Sequence, residues 1–483
     1  MNTLAVTVNE TGFEYDIHSL IKAFYPAADV KVISSDEKET SDEGLPNISI
    51  SFGAKSIIMS VSRDEVTVTN KAYTDSDDRK HTKNVLKKLI YETLNQHTGV
   101  SLPWGTLTGI RPTKIPMAMM NDGIEGDEIE DYLKTVYCLS DSKAKLCMDI
   151  AATERKILSN IDYENGYSVY IGIPFCPTTC LYCSFTSYPI VSWKKRIDEY
   201  LSCLEKEIDF TADIYRDKVL NTIYIGGGTP TTLEPDELDR LLNKITHAFN
   251  MKSVREFTVE AGRADSITEE KLKVLKKYNV TRISVNPQTM NQDTLDFIGR
   301  RHTVDDVVEA FLLARRLGFD NINMDIILGL PKETAKEVTH TIQMIKELSP
   351  DSLTVHSLAV KRASKLAEWI QKNGIEELMN TDETMKIAFE GAYDMKMKPY
   401  YLYRQKNMSG NFENVGFSKE GKFGIYNILI MEEVQTIIAL GAGSVTKRVY
   451  SDGRIERCDN VKDVGLYIEK IDEMIERKRQ LLK

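Results

Sequence analysis

Three cysteines, Cys176, Cys180 and Cys183, fall within eight positions in the stretch IPFCPTTCLYCSF. Thiols this close can hold a metal. A structural zinc site wants four ligands, commonly from two short cysteine hairpins or from cysteine with histidine. No second hairpin exists here, so a zinc reading needs one distant ligand. The other reading is a four-iron cluster, whose corners are normally all held by thiolates. Three thiolates leave one iron without a protein ligand, and an open corner admits an exogenous molecule, as the open position of a catalytic zinc does. A second feature is the glycine run in IYIGGGTPT. No Gly-Lys-Ser/Thr follows, so it is not a P-loop. Standing alone it reads as a tight turn, although glycine also lets backbone groups approach a ligand closely.

Those residues need elements to position them. From about residue 166 onward, β-branched runs alternate with amphipathic helical stretches. The runs are YSVYIGIP (167–174), NTIYIGGG (221–228), EFTVEAG (256–262), RISVNP (282–287), INMDIILG (322–329) and SLTVHSL (352–358). Six such units predict a parallel sheet covered by helices. Cys176, Gly228, Glu260, Gln288 and Asp325 fall late in these strands or just past them. In barrel enzymes that end forms the active face, so these residues are expected to converge on one mouth. Taken singly, Glu260 or Asp325 would be a structural hydrogen-bond acceptor.

Outside this region the pattern differs. NISISFG, SIIMSVS and EVTVTNKAY, all within residues 1–75, alternate with period two and predict a small sheet. The acidic stretch SSDEKETSDEG (34–44) predicts a mobile loop. KHTKNVLKKLIYETLNQHTG predicts an amphipathic helix ended by Gly99. After about residue 380 the rhythm stops. The aromatic stretch from Tyr400 reads as loop, EEVQTIIALGAGSVTK as a helix or strand before a glycine turn, and the tail as an amphipathic helix. The expected domains are 1–165 (α+β), 166–380 (the β/α part) and 381–483 (a substrate-covering extension).

Composition narrows the class. The chain has 483 residues, 42% hydrophobic and 28% charged, which is ordinary globular usage. Its 62 basic and 72 acidic residues leave a net charge of −10, a poor match to nucleic acid. No window approaches about 18 apolar residues, so no membrane span is read. The first residues lack the layout of a secretory signal, which points to the cytoplasm. An odd count of seven cysteines argues against a disulfide framework; Cys138, Cys147, Cys203 and Cys458 are scattered and read as small buried or half-buried residues.

The order C-x-x-x-C-x-aromatic-C after the first strand, with Tyr182 in the aromatic position, resembles the radical S-adenosylmethionine (SAM) superfamily. The resemblance implies a 4Fe-4S cluster on Cys176, Cys180 and Cys183, with SAM on the open iron and a 5′-deoxyadenosyl radical as the product of its cleavage. The ordered set YIGIPFC, GGGTPT, FTVEAGR, VNPQT and MDIILGLP is similar to the oxygen-independent coproporphyrinogen III oxidase-like group, over about residues 165–360. That similarity implies a partial (β/α)6 TIM-like barrel. It also implies SAM contacts at Tyr170, Gly227, Gly228 and Thr229, with Glu260 and Gln288 on ribose and methionyl groups. Arg300 would meet a carboxylate, Asp325 the ribose, and Ala359 would present backbone beside the adenine.

Within the group, LPWGTLTGIRPTK, SFTSYP and YRQKN with GIYNILIMEE resemble the HemZ branch. The implied reaction is oxidative decarboxylation of two propionates of coproporphyrinogen III to vinyl groups, with an electron donor such as flavodoxin or ferredoxin. A tetra-anionic tetrapyrrole wants cations at the rim, and Arg111, Lys361, Arg362, Arg404 and Lys406 are candidates that singly read as surface charges. Two positions depart from relatives. Phe185 stands where the well-studied oxidases have one more cysteine, and Tyr426 stands where haem chaperones have histidine before Asn427. Two other readings therefore accompany the first: a haem-binding carrier that keeps the cluster, and an enzyme acting on another tetrapyrrole.

Overall fold

The structure is a computed structural model and describes residues 2–483 other than 38–39, 75–77, 184–185, 361–363, 375–377, 379 and 406–411. The chain divides into two compact units, Met1–Ala152 and Thr153–Lys483.

In the first unit, β1 (Thr3–Val8), β2 (Asp29–Ser34), β3 (Asn47–Gly53), β4 (Ser56–Arg63) and β5 (Val66–Tyr73) form a sheet in the order β2-β1-β3-β4-β5. The alternation of β3 and β4 puts Ile48, Ile50, Ile57, Met59 and Val61 on one face, in one core with Ile17, Leu20, Ile90 and Leu94. The helix Arg79–Thr98 starts where Asp78 accepts from the Lys80 amide and stops at Gly99, whose φ of +70° reverses the chain. The expected loop at 34–44 lies partly outside the described residues; within it, Asp42 accepts from the Thr3 amide at 2.7 Å.

The second unit holds β6 (Gly166–Ile173), a two-residue pair β7 (Phe175–Cys176) and β8 (Tyr188–Pro189), then β9 (Val219–Gly227), β10 (Glu256–Gly262), β11 (Arg282–Val285), β12 (Ile322–Leu328) and β13 (Ser352–Ser357). The C-terminal part adds β14 (Lys398–Tyr403), β15 (Asn414–Ser418), β16 (Thr436–Leu440), β17 (Val445–Val449) and β18 (Ile455–Asp459). All but the short pair form one sheet, ordered β14-β15-β13-β12-β11-β10-β9-β6-β16-β17-β18. Its centre is the expected run of six parallel strands, with an α-helix after each of the first five. The fold is α/β.

Each central strand has two faces of different chemistry. One carries the helix-side core, including Val169, Ile171, Ile223, Ile225, Val259, Ile283, Met324, Ile326, Leu353 and Val355, all buried. The other parity carries Ser168, Thr222, Thr258, Ser284, Asn323 and Thr354, also buried. Buried polar groups need partners, and Ser168, Thr222, Asn323 and Thr354 find them across strands. Ser168 and Thr222 hydroxyls meet at 2.6 Å, Arg282 donates to Ser352 at 2.7 Å, and Ser352 to Asn323 at 3.0 Å.

The region after residue 380 is more regular than its sequence predicts. KPYYLY and NVGFS form β14 and β15, antiparallel against β13, and Ile425–Glu432 is a helix. The first strand shows no alternation and contains Pro399, and the second has only five residues, so neither carries a strand pattern. The ambiguous TIIAL is β16, parallel to β6. The tail is two helices, Val464–Glu469 and Ile471–Leu482, rather than one. It is fastened by Glu207, fully buried, which accepts from the Gly441 amide (2.7 Å), Asn460 (3.0 Å), Tyr467 (2.5 Å) and the buried Lys478 ammonium. Among the described residues no helix is long and apolar enough to cross a membrane.

Candidate functional site

The cysteine loop leaves the end of β6 and is pinned by backbone bonds. The Leu181 amide donates to the Ile298 carbonyl at 2.9 Å, the Leu366 amide to the Leu181 carbonyl at 3.0 Å, and the Thr178 hydroxyl to the Gly299 carbonyl at 3.0 Å. Cys176 and Cys180 are buried and Cys183 is half-buried. Each sulfur has a nearby donor: Thr229 Oγ1 at 3.5 Å from Cys176, Arg263 Nη1 at 3.8 Å from Cys180, and Ser187 Oγ at 3.9 Å from Cys183. Burial pushes the Cys176 thiol up to about 11, against the pull of the Thr229 bond.

Among the described residues no three His, Cys, Asp or Glu side chains meet closely enough to hold one metal ion. A single ion draws every ligand to about 2.3 Å of one point, whereas a four-iron cluster takes each thiolate at a different corner. Sulfurs held on one loop, each with its own donor, fit the second arrangement.

The glycine run packs directly against this loop. The Gly228 amide donates to the Ile173 carbonyl at 2.8 Å and the Thr229 amide to Phe175 at 2.7 Å. A Cβ on Gly228 would sit 2.5 Å from the Phe175 oxygen and 2.9 Å from the Cys176 sulfur. Gly227 has φ +110°, a conformation that L side chains rarely adopt. The sequence motif therefore does two things: it turns the chain and clears the space beside a cysteine.

Next to it, on the inner face of the sheet, Tyr170, Tyr224, Glu260, Asp325 and His356 are all half-buried. The Tyr224 hydroxyl donates to Glu260. Burial, with Asp325 nearby, pushes the Glu260 carboxyl up to about 7, although the Tyr224 bond pulls it down. Asp325 accepts from Asn323 at 2.7 Å and lies 3.9 Å from His356 Nε2. Burial pushes it up too, but bonds from His356, Asn323 and Thr354 outweigh that and hold it below its ordinary value. The two carboxyls are thus set apart, one near neutral pH and one ionised. Gly226 makes room for the first, since a Cβ there would be 2.8 Å from the Tyr224 ring and 3.1 Å from the Glu260 carboxyl carbon.

Gln288 is buried just past β11 with φ +69°, its amide bonded to the Asp325 carbonyl at 2.9 Å. Its Oε1, and Oδ1 of Asn286, are buried without a partner among the described residues. Orphaned acceptors of this kind suit a ligand that brings donors. Arg300, also buried, donates to the Asn286 carbonyl (2.6 Å) and to the Tyr182 hydroxyl (3.3 Å). Ala359 is half-buried two positions beyond β13. Of the rim cations, Arg404 is buried and Arg111 half-buried in the first unit; Lys361, Arg362 and Lys406, with Ser184 and Phe185, lie outside the described residues.

Sequence reasoning did not place five participants at the site: Tyr224, Tyr426, Glu256, His356 and Arg263. Tyr426, at the start of the helix Ile425–Glu432, stacks on Tyr224 (centroids 4.5 Å apart) and Tyr170 (6.4 Å). Glu256, at the start of β10, accepts from the Ile425 and Tyr426 amides and seats that helix end. His356 and Arg263 complete the set. Parity could have found Tyr224, Glu256 and His356, because they share the polar face with Thr222, Glu260 and Thr354; nothing local marks Tyr426.

The family description Radical SAM superfamily matches residues 170–345. The oxygen-independent coproporphyrinogen-III oxidase-like protein HemZ of Bacillus subtilis (strain 168) is 41% identical over 414 residues, 85% of this chain and 83% of that one. The heme chaperone HemW of the same organism is 35% identical over 307 residues, 63% of this chain and 76% of that one. Among solved structures, coproporphyrinogen III oxidase (HemN) from Escherichia coli, a radical SAM enzyme, matches with a TM-score of 0.51 and 21% identity, over 66% of this chain and 73% of that one. That likeness speaks for the fold alone.

Proposed function

Since the chain belongs to the oxygen-independent coproporphyrinogen-III oxidase-like proteins of the radical SAM superfamily, which uses a 4Fe-4S cluster and SAM, we propose that it converts coproporphyrinogen III to protoporphyrinogen IX without oxygen, by oxidative decarboxylation of two propionates. The observation that supports the reading is the packing of Gly228 and Thr229 against Cys176, as a turn that accepts SAM beside a cluster loop with one open corner would require. When bound, the cluster and SAM supply the radical chemistry that removes hydrogen from the propionate chain.

This chain's residues hold and orient. Cys176, Cys180 and Cys183 ligate the cluster, which requires the loop to give up its thiol protons. Gly227, Gly228 and Thr229 present backbone to the methionyl ammonium. Ionised Asp325 accepts from ribose hydroxyls, and Glu260, with Tyr224 behind it, accepts from a second hydroxyl or ammonium. Gln288 offers its orphaned oxygen, Arg300 a guanidinium for a carboxylate, and Ala359 backbone for the adenine. Tyr182 sits within the cysteine loop and accepts from Arg300, and Tyr170 precedes the loop on β6 and stacks on Tyr224. A cytoplasmic reductant such as flavodoxin or ferredoxin is the expected electron source, and a tetrapyrrole the expected substrate; the net charge of −10 favours no nucleic acid.

The test is anaerobic reconstitution with iron, sulfide, SAM and reductant, followed by mass analysis of products from coproporphyrinogen III. Divinyl product that depends on SAM supports the reading. Deoxyadenosine without vinyl product removes this substrate and favours another tetrapyrrole. The likeness to HemW supports a haem carrier as the second reading, and a Soret band on haem titration without turnover would favour it.

A further inference from the structure

Arg263 follows β10 directly and is 3% exposed. Its three nitrogens are all taken by the protein. Nε and Nη2 form a two-point pair with Asp265, at 3.0 and 2.6 Å. Nη1 points the other way, to the Thr178 hydroxyl at 2.7 Å, the Thr178 carbonyl at 3.1 Å and the Cys180 sulfur at 3.8 Å. Asp265 in turn lies 3.8 Å from Nδ1 of the buried His302. The guanidinium thus differs from Arg300 in having no nitrogen left for a ligand. It is a fixed cation aimed at one thiolate, with a fixed anion on its far side.

Reduction adds one negative charge to an iron–sulfur cluster, and hydrogen bonds to the sulfurs and net nearby charge set its potential. We propose that Arg263 and Asp265 are positioning residues that set the reduction potential of the cluster held by Cys176, Cys180 and Cys183. Arg263 stabilises the reduced form, and Asp265 tempers that effect while holding the guanidinium's edge toward the loop. Thr229 and Ser187 add neutral donors at the other two sulfurs. The inference rests on the cluster assignment above and on nothing about the substrate.

The two charges predict opposite shifts, which a merely structural role would not give. Full-length protein is reconstituted, iron and visible absorption are measured, and the reduced fraction is read against a redox dye at fixed poise. For Arg263→Gln the ratio of reduced to oxidised cluster should fall on the order of tenfold, about 59 mV for one electron. For Asp265→Asn it should rise. Arg263→Lys keeps the charge and should stay within about threefold of the parent. Should Arg263→Gln lose its cluster, the Lys and Asn variants still decide the matter. Shifts of the same sign for Arg263→Gln and Asp265→Asn, or none beyond twofold in any variant, overturn the inference while leaving the cluster assignment intact. A parent protein that takes up zinc and no cluster overturns both.

Discussion

Replacing Glu260 by glutamine tests the electrostatics of the inner face. The unfolded chain releases this proton at about 4.5 and the folded chain at about 7. Between those values the native state binds more protons than the unfolded one, so the parent protein loses stability as pH rises through that window. A gap of about 2.5 pH units corresponds to about 3.4 kcal/mol at most. The carboxyl is half-buried, and water on its open side trims this to about 2 kcal/mol. The substituted amide would accept from the same Tyr224 hydroxyl without carrying a charge. Glu260→Gln should therefore unfold in urea near the parent's midpoint at pH 5 and about 2 kcal/mol later at pH 8, in protein without SAM. A difference of equal size at both pH values, or a less stable variant at pH 8, would show that the raised carboxyl is not what separates the two proteins.

Gly228→Ala places a methyl 2.5 Å from the Phe175 oxygen and 2.9 Å from the Cys176 sulfur; backbone cannot yield cheaply there, so we expect about 1–3 kcal/mol of destabilisation and a lower iron content after reconstitution, measured by colorimetric assay. Lys478→Met leaves the buried Glu207 carboxylate without its cation and with three neutral donors. It should cost about 3–5 kcal/mol, read as an earlier urea midpoint, with iron binding retained in the folded fraction.

The legibility of the molecule followed its local physics. The six parallel strands announced themselves through β-branched runs separated by helical periods, and the cysteine and glycine motifs sat where strand ends should be. Gln288 and Arg300 were legible only as part of an ordered set, because a buried amide with φ +69° looks like any other glutamine in a sequence. Tyr426 was legible only as a departure from the haem chaperones, not as a neighbour of Tyr224. Its place depends on Glu256, 170 positions earlier, capping the helix that carries it. β14 escaped because aromatic residues on both faces erase alternation, and β15 because five residues are too few to show it. Arg263 was visible as a letter after EAG, but its direction, with one edge to Asp265 and the other to Cys180, is a tertiary fact.

The strand order has a consequence during synthesis. β6 takes one neighbour from β9 and the other from β16, and Ser168 waits for a hydrogen bond from Gln435, 267 residues later. Until that point leaves the ribosome, one side of the strand that launches the cysteine loop is a bare row of amides and carbonyls, the kind of edge that recruits stray chains. Long-range pairing of this sort is slow, so a nascent chain that meets iron early would meet it on a half-walled strand, and a ribosome stalled before codon 436 would release a product prone to aggregate.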